Sequence, residues 1–369
     1  MAFGFGAAGG PAPPSPRGRP PARQAGTSPA WARAAWLAAG LVVAVQIPYP
    51  LLPKGGNGRL WLTACQVVAF FIASASHAVY RRGWAFAAGY VVLAVGLGFV
   101  AEVVGVHTGW PFGRYSYTGK LAPEIAGVPP VIVLGWAMMT YPALLLARWL
   151  TRQPPGSPSG GGRRHRAAMA AAAGGALLAG WDLFLDPRMV AEGVWEWAPG
   201  NGPTLNGIPL TNTAGWLLVG TIMVALVDRL PDRASQSSSA PAASGAWPAG
   251  DGVPLMLLCW TYGSWVLACL AFFGEPLVAL AGGVGMALPL LVAFPAAARA
   301  IRRRPAARPA PTRPAKPSIP PRDLTIAAGP PSAPASSPSA PRDPDDDDGR
   351  PACEEGLFAH PLRPTHRSG

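Results

Sequence analysis

Eight stretches of this chain stay apolar for close to the ~20 residues that a helix needs to cross a bilayer. They cover residues 31–47, 60–79, 84–106, 128–149, 167–185, 209–227, 253–273 and 275–296. A soluble fold cannot bury so many long apolar segments. The sequence therefore predicts an all-α integral membrane protein with about eight transmembrane helices. Pro48 closes the first run, and only a short turn around Gly274, Glu275 and Pro276 separates the last two, which read as a helical hairpin. Half the residues are hydrophobic and 13% are charged, against roughly 25% charged in soluble domains. Fourteen tryptophans suit a protein with two membrane interfaces, where indole is buried while its N–H stays wet.

The net charge of +12 does not indicate nucleic acid, because the basic residues lie between apolar runs and in the tails, as topology signals do. With the N-terminus inside, the inner segments carry Arg17, Arg19, Arg23, Arg33, Arg81, Arg82, Arg148, Arg152, Arg163, Arg164, Arg166, Arg229 and Arg233, and Arg299 and Arg302–Arg304 follow the last run. The outer segments hold only Lys54, Arg59, Arg114, Lys120 and Arg188. An even helix count then puts both termini on the cytoplasmic side of the cell membrane. Residues 1–30 are rich in Gly, Pro and Arg and show no cleavage pattern of a signal peptide, so they are expected to form a disordered cytoplasmic arm before a transmembrane domain at 31–298. Residues 299–369, rich in Pro, Ala, Ser and Arg with an acidic run at Asp345–Asp348, cannot bury enough apolar surface to fold and read as a disordered cytoplasmic tail. Cys65, Cys259, Cys269 and Cys353 have no metal-binding spacing; the first three fall in apolar runs and are expected to pack there. No metal site is expected.

Acidic residues are distributed unevenly. Of those before the tail, Glu102, Glu124, Asp182, Asp186, Glu192, Glu196 and Glu275 belong to the outer side. Two outer loops are also dense in Trp, Tyr, Gly, Pro and Asn: 102–117, and the stretch from Trp181 to Trp216. Asp182 and Asp186, four apart, share one helix face, and Pro187 limits extension of their run. Ionisable groups at membrane depth are functional candidates. Glu102, Asp182 and Asp186 sit at helix C-terminal ends, where the helix dipole and desolvation both favour the neutral, proton-donating form that general-acid catalysis needs. Structural alternatives stand beside this reading. Asp186 could form a turn or pair with Arg188. Asp182 could be a packing hydrogen-bonder. Glu102 could pair with Arg114 or His107, itself an interfacial hydrogen-bonder. Asn212 could be a cap or interhelical glue. The tryptophans could be an interfacial belt, and Glu124, Glu192 and Glu196 solvated loop charges.

Four segments carry a family likeness: Gly109–Tyr117 (GWPFGRYSY), Val128–Trp136 (VPPVIVLGW), Asp186–Trp197 (DPRMVAEGVWEW) and Gly207–Trp216 (GIPLTNTAGW). Together they resemble the carotenoid biosynthesis protein family of bacteria and archaea, over about residues 31–296. The chain departs from the usual pattern at Leu205-Asn206 and at Thr213, where members often carry aromatics, and both positions are expected to line the substrate groove. The resemblance implies cofactor-free addition of water across the terminal 1,2 double bond of an acyclic carotenoid end. The partners are then a hydrophobic carotenoid, water, the lipid bilayer and other carotenoid-synthesis enzymes.

Protonation of C2 leaves a tertiary cation at C1, which water captures. Asp182 is expected to be the proton donor, Asp186 or Glu102 to orient the water, and Asn212 to hold it. The aromatic walls of the site are expected from Trp181, Trp195 and Trp197, with His107, Tyr115, Tyr117 and Trp216 also contacting substrate. The rival readings are a UbiA-type membrane prenyltransferase, for which Asp182…Asp186 and Asp228…Asp232 have the motif spacing but fall on opposite faces, and a transporter or scaffold of a carotenoid-synthesis complex. Transport would use the intramembrane acids, but no repeat symmetry supports it.

Overall fold

The computed structural model describes residues 28–152, 162–233 and 247–302 apart from 249, with side chains as far as 289. The expected N-terminal arm and the C-terminal tail lie almost wholly outside these residues. Eight helices make up the described part: α1 Pro29–Gln46, α2 Asn57–Arg82, α3 Trp84–Thr108, α4 Pro130–Leu150, α5 Gly162–Ala191, α6 Leu210–Asp228, α7 Gly252–Ala268 and α8 Pro276–Arg302. Seven spans, corresponding to α1 through α7, are long and apolar enough to cross a membrane, and the apolar stretch Pro276–Pro289 opens α8. The protein is thus an all-α membrane bundle, as the run lengths require: in lipid the backbone must satisfy its own hydrogen bonds.

Local chemistry sets the helix ends. Ser28 Oγ accepts the Ala30 N–H at 3.2 Å, with Pro29 in the first turn of α1. Gly109, at φ 77°, ends α3 in the left-handed conformation that lacks a Cβ penalty. α7 runs on as a π turn over Cys269–Phe273 before Gly274 reverses the chain into α8, giving the expected hairpin. Pro142 lies inside α4 and cannot bond the Met138 carbonyl; Ser74 of α2 donates to that carbonyl at 2.9 Å instead. Pro187 does not end α5. The helix carries through it to Ala191, so Asp186 and Arg188 lie on helix, and Glu192 opens the turn that follows.

α5 is the centre of the packing. A Cβ on Gly180 would overlap the backbone of Gly285 and Met286, and one on Gly175 would overlap Thr221. Small residues thus let α5 pack backbone-close to α6 and α8. Cys269 is buried, whereas Cys65 and Cys259 face outward rather than packing.

Two short antiparallel ribbons cap the end of the bundle where α3 and α5 finish. β1 (Tyr115–Tyr117) pairs with β2 (Trp195–Trp197) in the register Tyr115↔Trp197, Ser116↔Glu196 and Tyr117↔Trp195. Side chains alternate along a strand, so Tyr115, Tyr117, Trp195 and Trp197 face inward while Ser116 and Glu196 are exposed. β3 (Thr204–Leu205) and β4 (Ile208–Pro209) turn at Asn206 and Gly207, with φ of 50° and 82°, the backbone of a two-residue hairpin.

Candidate active site

Beneath the β1–β2 ribbon lies a cavity of about 280 Å³, lined by α1, α2 and α4 to α7 as well as by the ribbon. Its polar pole is made by α3, α5 and α6. Glu102, on α3, is buried and receives three donors: Tyr115 Oη at 2.5 Å and Tyr117 Oη at 2.8 Å on one oxygen, and Trp136 Nε1 at 2.8 Å on the other. Burial first, and then the Glu102 carboxylate, push both phenols well above their usual pKa, so both remain donors. Neither partner suggested by sequence, Arg114 or His107, makes these bonds.

On α5, Asp182 and Asp186 point the same way, as their spacing requires. The Asn212 side-chain amide, on α6, donates to Asp182 Oδ2 at 2.8 Å and also to Asp186 Oδ2, so one NH₂ group spans both carboxyls. The second Asp182 oxygen, Oδ1, is buried without a hydrogen-bond partner among the described residues. The shared amide holds the two carboxyls close together, and the Trp195 indole N–H is buried without a hydrogen-bond partner among the described residues. Asp186 and Asn212 line the cavity; Asp182 lies behind them and does not. The helix face they share is turned so that the later residue, Asp186, meets the open space.

Aromatic rings surround this pole. Trp136 and Trp216 stack at 3.7 Å with 15° between planes, and Trp181 meets Trp216 edge-on at 5.8 Å. Trp195 packs edge-on to Tyr117 at 6.0 Å, and Trp197 lies 5.7 Å from Tyr115. Trp181, Trp195, Trp197, Trp216, Tyr115 and Tyr117 all line the cavity, so these tryptophans wall a site rather than form an interfacial belt. His107 is exposed and stands outside it. The same holds for two positions expected in the groove: Leu205 is exposed, Asn206 occupies the β3–β4 turn, and Thr213 does not reach the cavity. Sequence reasoning passed over Trp136, which closes the quoted segment Val128–Trp136 and both stacks and donates here.

Two buried ion clusters flank the site. Close by, Glu192 bonds Arg59 at 2.6 Å, the Gly55 N–H at 2.5 Å and Arg188, and Arg188 also reaches Glu275 at 3.2 Å. Glu192 is therefore not a solvated loop charge, and Arg188 does not pair with Asp186. At the opposite end, Arg82 bonds Asp232 and Asp251, each at 2.8 Å, while Arg148 holds Asp228 at 2.6 Å and Asp232 at 2.7 Å. The Asp228…Asp232 pair is committed to these arginines and lies on the other end from Asp182 and Asp186.

The family described as carotenoid biosynthesis protein matches residues 62–289, more than half of the chain. Bisanhydrobacterioruberin hydratase of Haloarcula japonica is 34% identical over 148 residues, 40% of this chain and 47% of that protein. The match thus spans about half the length of this curated relative. No solved structure matches.

Proposed function

The chain belongs to the carotenoid biosynthesis protein family, and we propose that within it the protein hydrates the terminal 1,2 double bond of an acyclic carotenoid end, with Asp186 as the proton donor. The observation that carries this reading is the Asp182–Asn212–Asp186 group set at the edge of an aromatic cavity. Two buried carboxyls held on one amide nitrogen repel each other when both are ionised, so the pair keeps one proton. Asp182, behind, holds that proton in register; Asp186, in front, delivers it.

The steps balance without any further reactant. The Asp186 proton adds to C2 as the π bond breaks, leaving a tertiary cation at C1. The faces of Trp195, Trp197 and Trp216 stabilise that charge in a site that excludes bulk water. Water adds its oxygen to C1, and the proton it then sheds returns to the Asp182–Asp186 pair. Glu102 accepts three hydrogen bonds, and its carboxylate has about four acceptor positions, which leaves one to orient the incoming water. A hydratase name on a relative supports the same chemistry.

In a host accumulating an acyclic carotenoid, the wild-type protein yields a pigment heavier by one water with an unchanged absorption spectrum. Asp186→Asn lowers that product by about 10²–10⁴-fold, the usual contribution of a general acid, in a protein that still folds. Full hydration by Asp186→Asn would remove it from the donor role. No hydrated pigment from folded wild-type protein would overturn the reaction itself.

A further inference from the structure

The cavity wall differs from one side to another. Above its α1–α7 side, Arg59, Arg188 and Glu192 are all at least nine-tenths buried and joined to one another. The Arg188 guanidinium sits 4.2 Å from the centre of the Phe273 ring and that of Arg59 5.3 Å from the Tyr49 ring. Tyr49 and Phe273 are themselves cavity wall, so the ion cluster is a cap laid directly on them. Tyr115, Tyr117, Trp195 and Trp197 of the β1–β2 ribbon line it as well.

The side wall is different. Ile47, Leu267 and Phe272 line the same cavity yet are 60%, 59% and 51% exposed. At these residues the wall between the cavity and the outside is a single side chain thick. All three are apolar: Ile47 follows α1, Leu267 is in the last turn of α7 and Phe272 in the π turn, within spans long and apolar enough to cross a membrane, where an apolar outer surface suits lipid. π turns are frequent at functional positions because they widen a helix locally. Just inside the opening, Gln46 of α1 bridges to α7 twice, donating to Ser264 Oγ at 3.0 Å and accepting from Trp260 Nε1 at 2.7 Å. This bridge holds the two helices at a set separation.

We propose that Ile47, Leu267, Ala268 and Phe272 form a lateral portal through which one end of a long, linear, apolar chain enters from the bilayer, the rest of the chain remaining in the lipid. The identity of that chain as a carotenoid rests on the function proposed above; the path does not. Size decides the one-end rule. A cavity of about 280 Å³ is at the bottom of the ~300–1,000 Å³ that encloses a drug-sized ligand. A linear polyene long enough to cross much of the ~30 Å hydrocarbon core cannot be swallowed whole. A symmetric substrate is then processed one end per visit, and the singly hydrated pigment is released before the doubly hydrated one.

The test uses the full chain in phosphatidylcholine vesicles with a linear carotenoid carrying a diazirine at one end. Irradiation of the wild type labels Leu185 and Met189, deep in the cavity. Ala268→Trp, which plugs the portal at a position partly exposed to lipid, lowers that labelling at least tenfold and leaves labelling of lipid-facing Leu280 unchanged. Val92→Trp, on the outer surface of α3, changes neither, and Glu192→Gln, which loosens the cap, does not reduce entry. Undiminished labelling of Leu185 and Met189 in folded Ala268→Trp would overturn the portal, as would loss of labelling in Val92→Trp. Wild-type labelling with no hydrated product would instead overturn the hydration reading and leave the portal standing.

Discussion

Replacing Glu102 by glutamine changes one atom in the most heavily hydrogen-bonded carboxyl of the site, and its cost can be worked from the geometry. The residue is 5% exposed and takes donors from Tyr115, Tyr117 and Trp136. Hydrogen bonds to a charged group are worth about 1.5–3 kcal/mol and neutral ones about 0.5–1.5 kcal/mol. An amide keeps one acceptor oxygen and turns the other into a donor. With the nitrogen facing Trp136, one bond of about 2 kcal/mol is lost and the two phenol bonds each weaken by about 1 kcal/mol, a total near 4 kcal/mol. Hydrogen bonds between helices in membranes average nearer ~0.6 kcal/mol, because the unfolded helices find other partners, so the expected range is about 2–4 kcal/mol. At about 2–4 °C per kcal/mol, Glu102→Gln lowers the melting temperature in detergent by roughly 4–16 °C. Tyr115→Phe and Tyr117→Phe each remove one donor, and each double variant with Glu102→Gln loses less than the sum of its parts, since the members share one network. A Glu102→Gln protein that melts with the wild type, and shows no coupling to either tyrosine, would refute the argument that these donors converge on a carboxylate.

Other expectations follow from the two ion clusters. Arg82→Leu strips one partner each from Asp232 and Asp251, which keep Arg148 and Arg81; the loss is about 3 kcal/mol, the lower end for breaking a buried pair, read as a lower melting temperature with no change in product per folded molecule. Burial opposes the Glu192 carboxylate, but the Gly55 N–H, Arg188 and Arg59 outweigh it and hold its pKa below the usual value. A depressed carboxyl stabilises the fold above its unfolded value of about 4.3, and that stability is lost as pH falls through the lower folded value. The melting temperature of the wild type therefore drops on acidification through that window, and Glu192→Gln flattens the dependence; an equally steep profile in the variant would place the acid sensitivity elsewhere.

Much of the architecture is legible from the chain alone. Apolar run length fixes helix number and position, because a backbone in lipid has no other way to satisfy its polar groups. Local composition also singled out Glu102, Asp182, Asp186, Asn212 and the aromatic loop segments, since acids and ring-dense loops are conspicuous against an apolar background. Positive charge carries less than its count suggests: of the inner-side arginines, Arg82 is buried and Arg148 half-buried, both in ion pairs, and they answer to packing as well as to the membrane.

What needed the tertiary structure is everything that depends on rotation and on distant partners. Asp182 and Asp186 share a face, but which of them meets the cavity depends on how α5 is turned, and the close approaches at Gly175 and Gly180 to α6 and α8 set that angle. The two three-residue strands that roof the site lie 80 residues apart at Ser116 and Glu196, so neither could be read as a strand by itself. Glu192 looked solvated because its neighbours in sequence are loop residues; Arg59, from the start of α2, buries it. Spacing along one helix defines a face, and only the helices packed around it decide what that face sees.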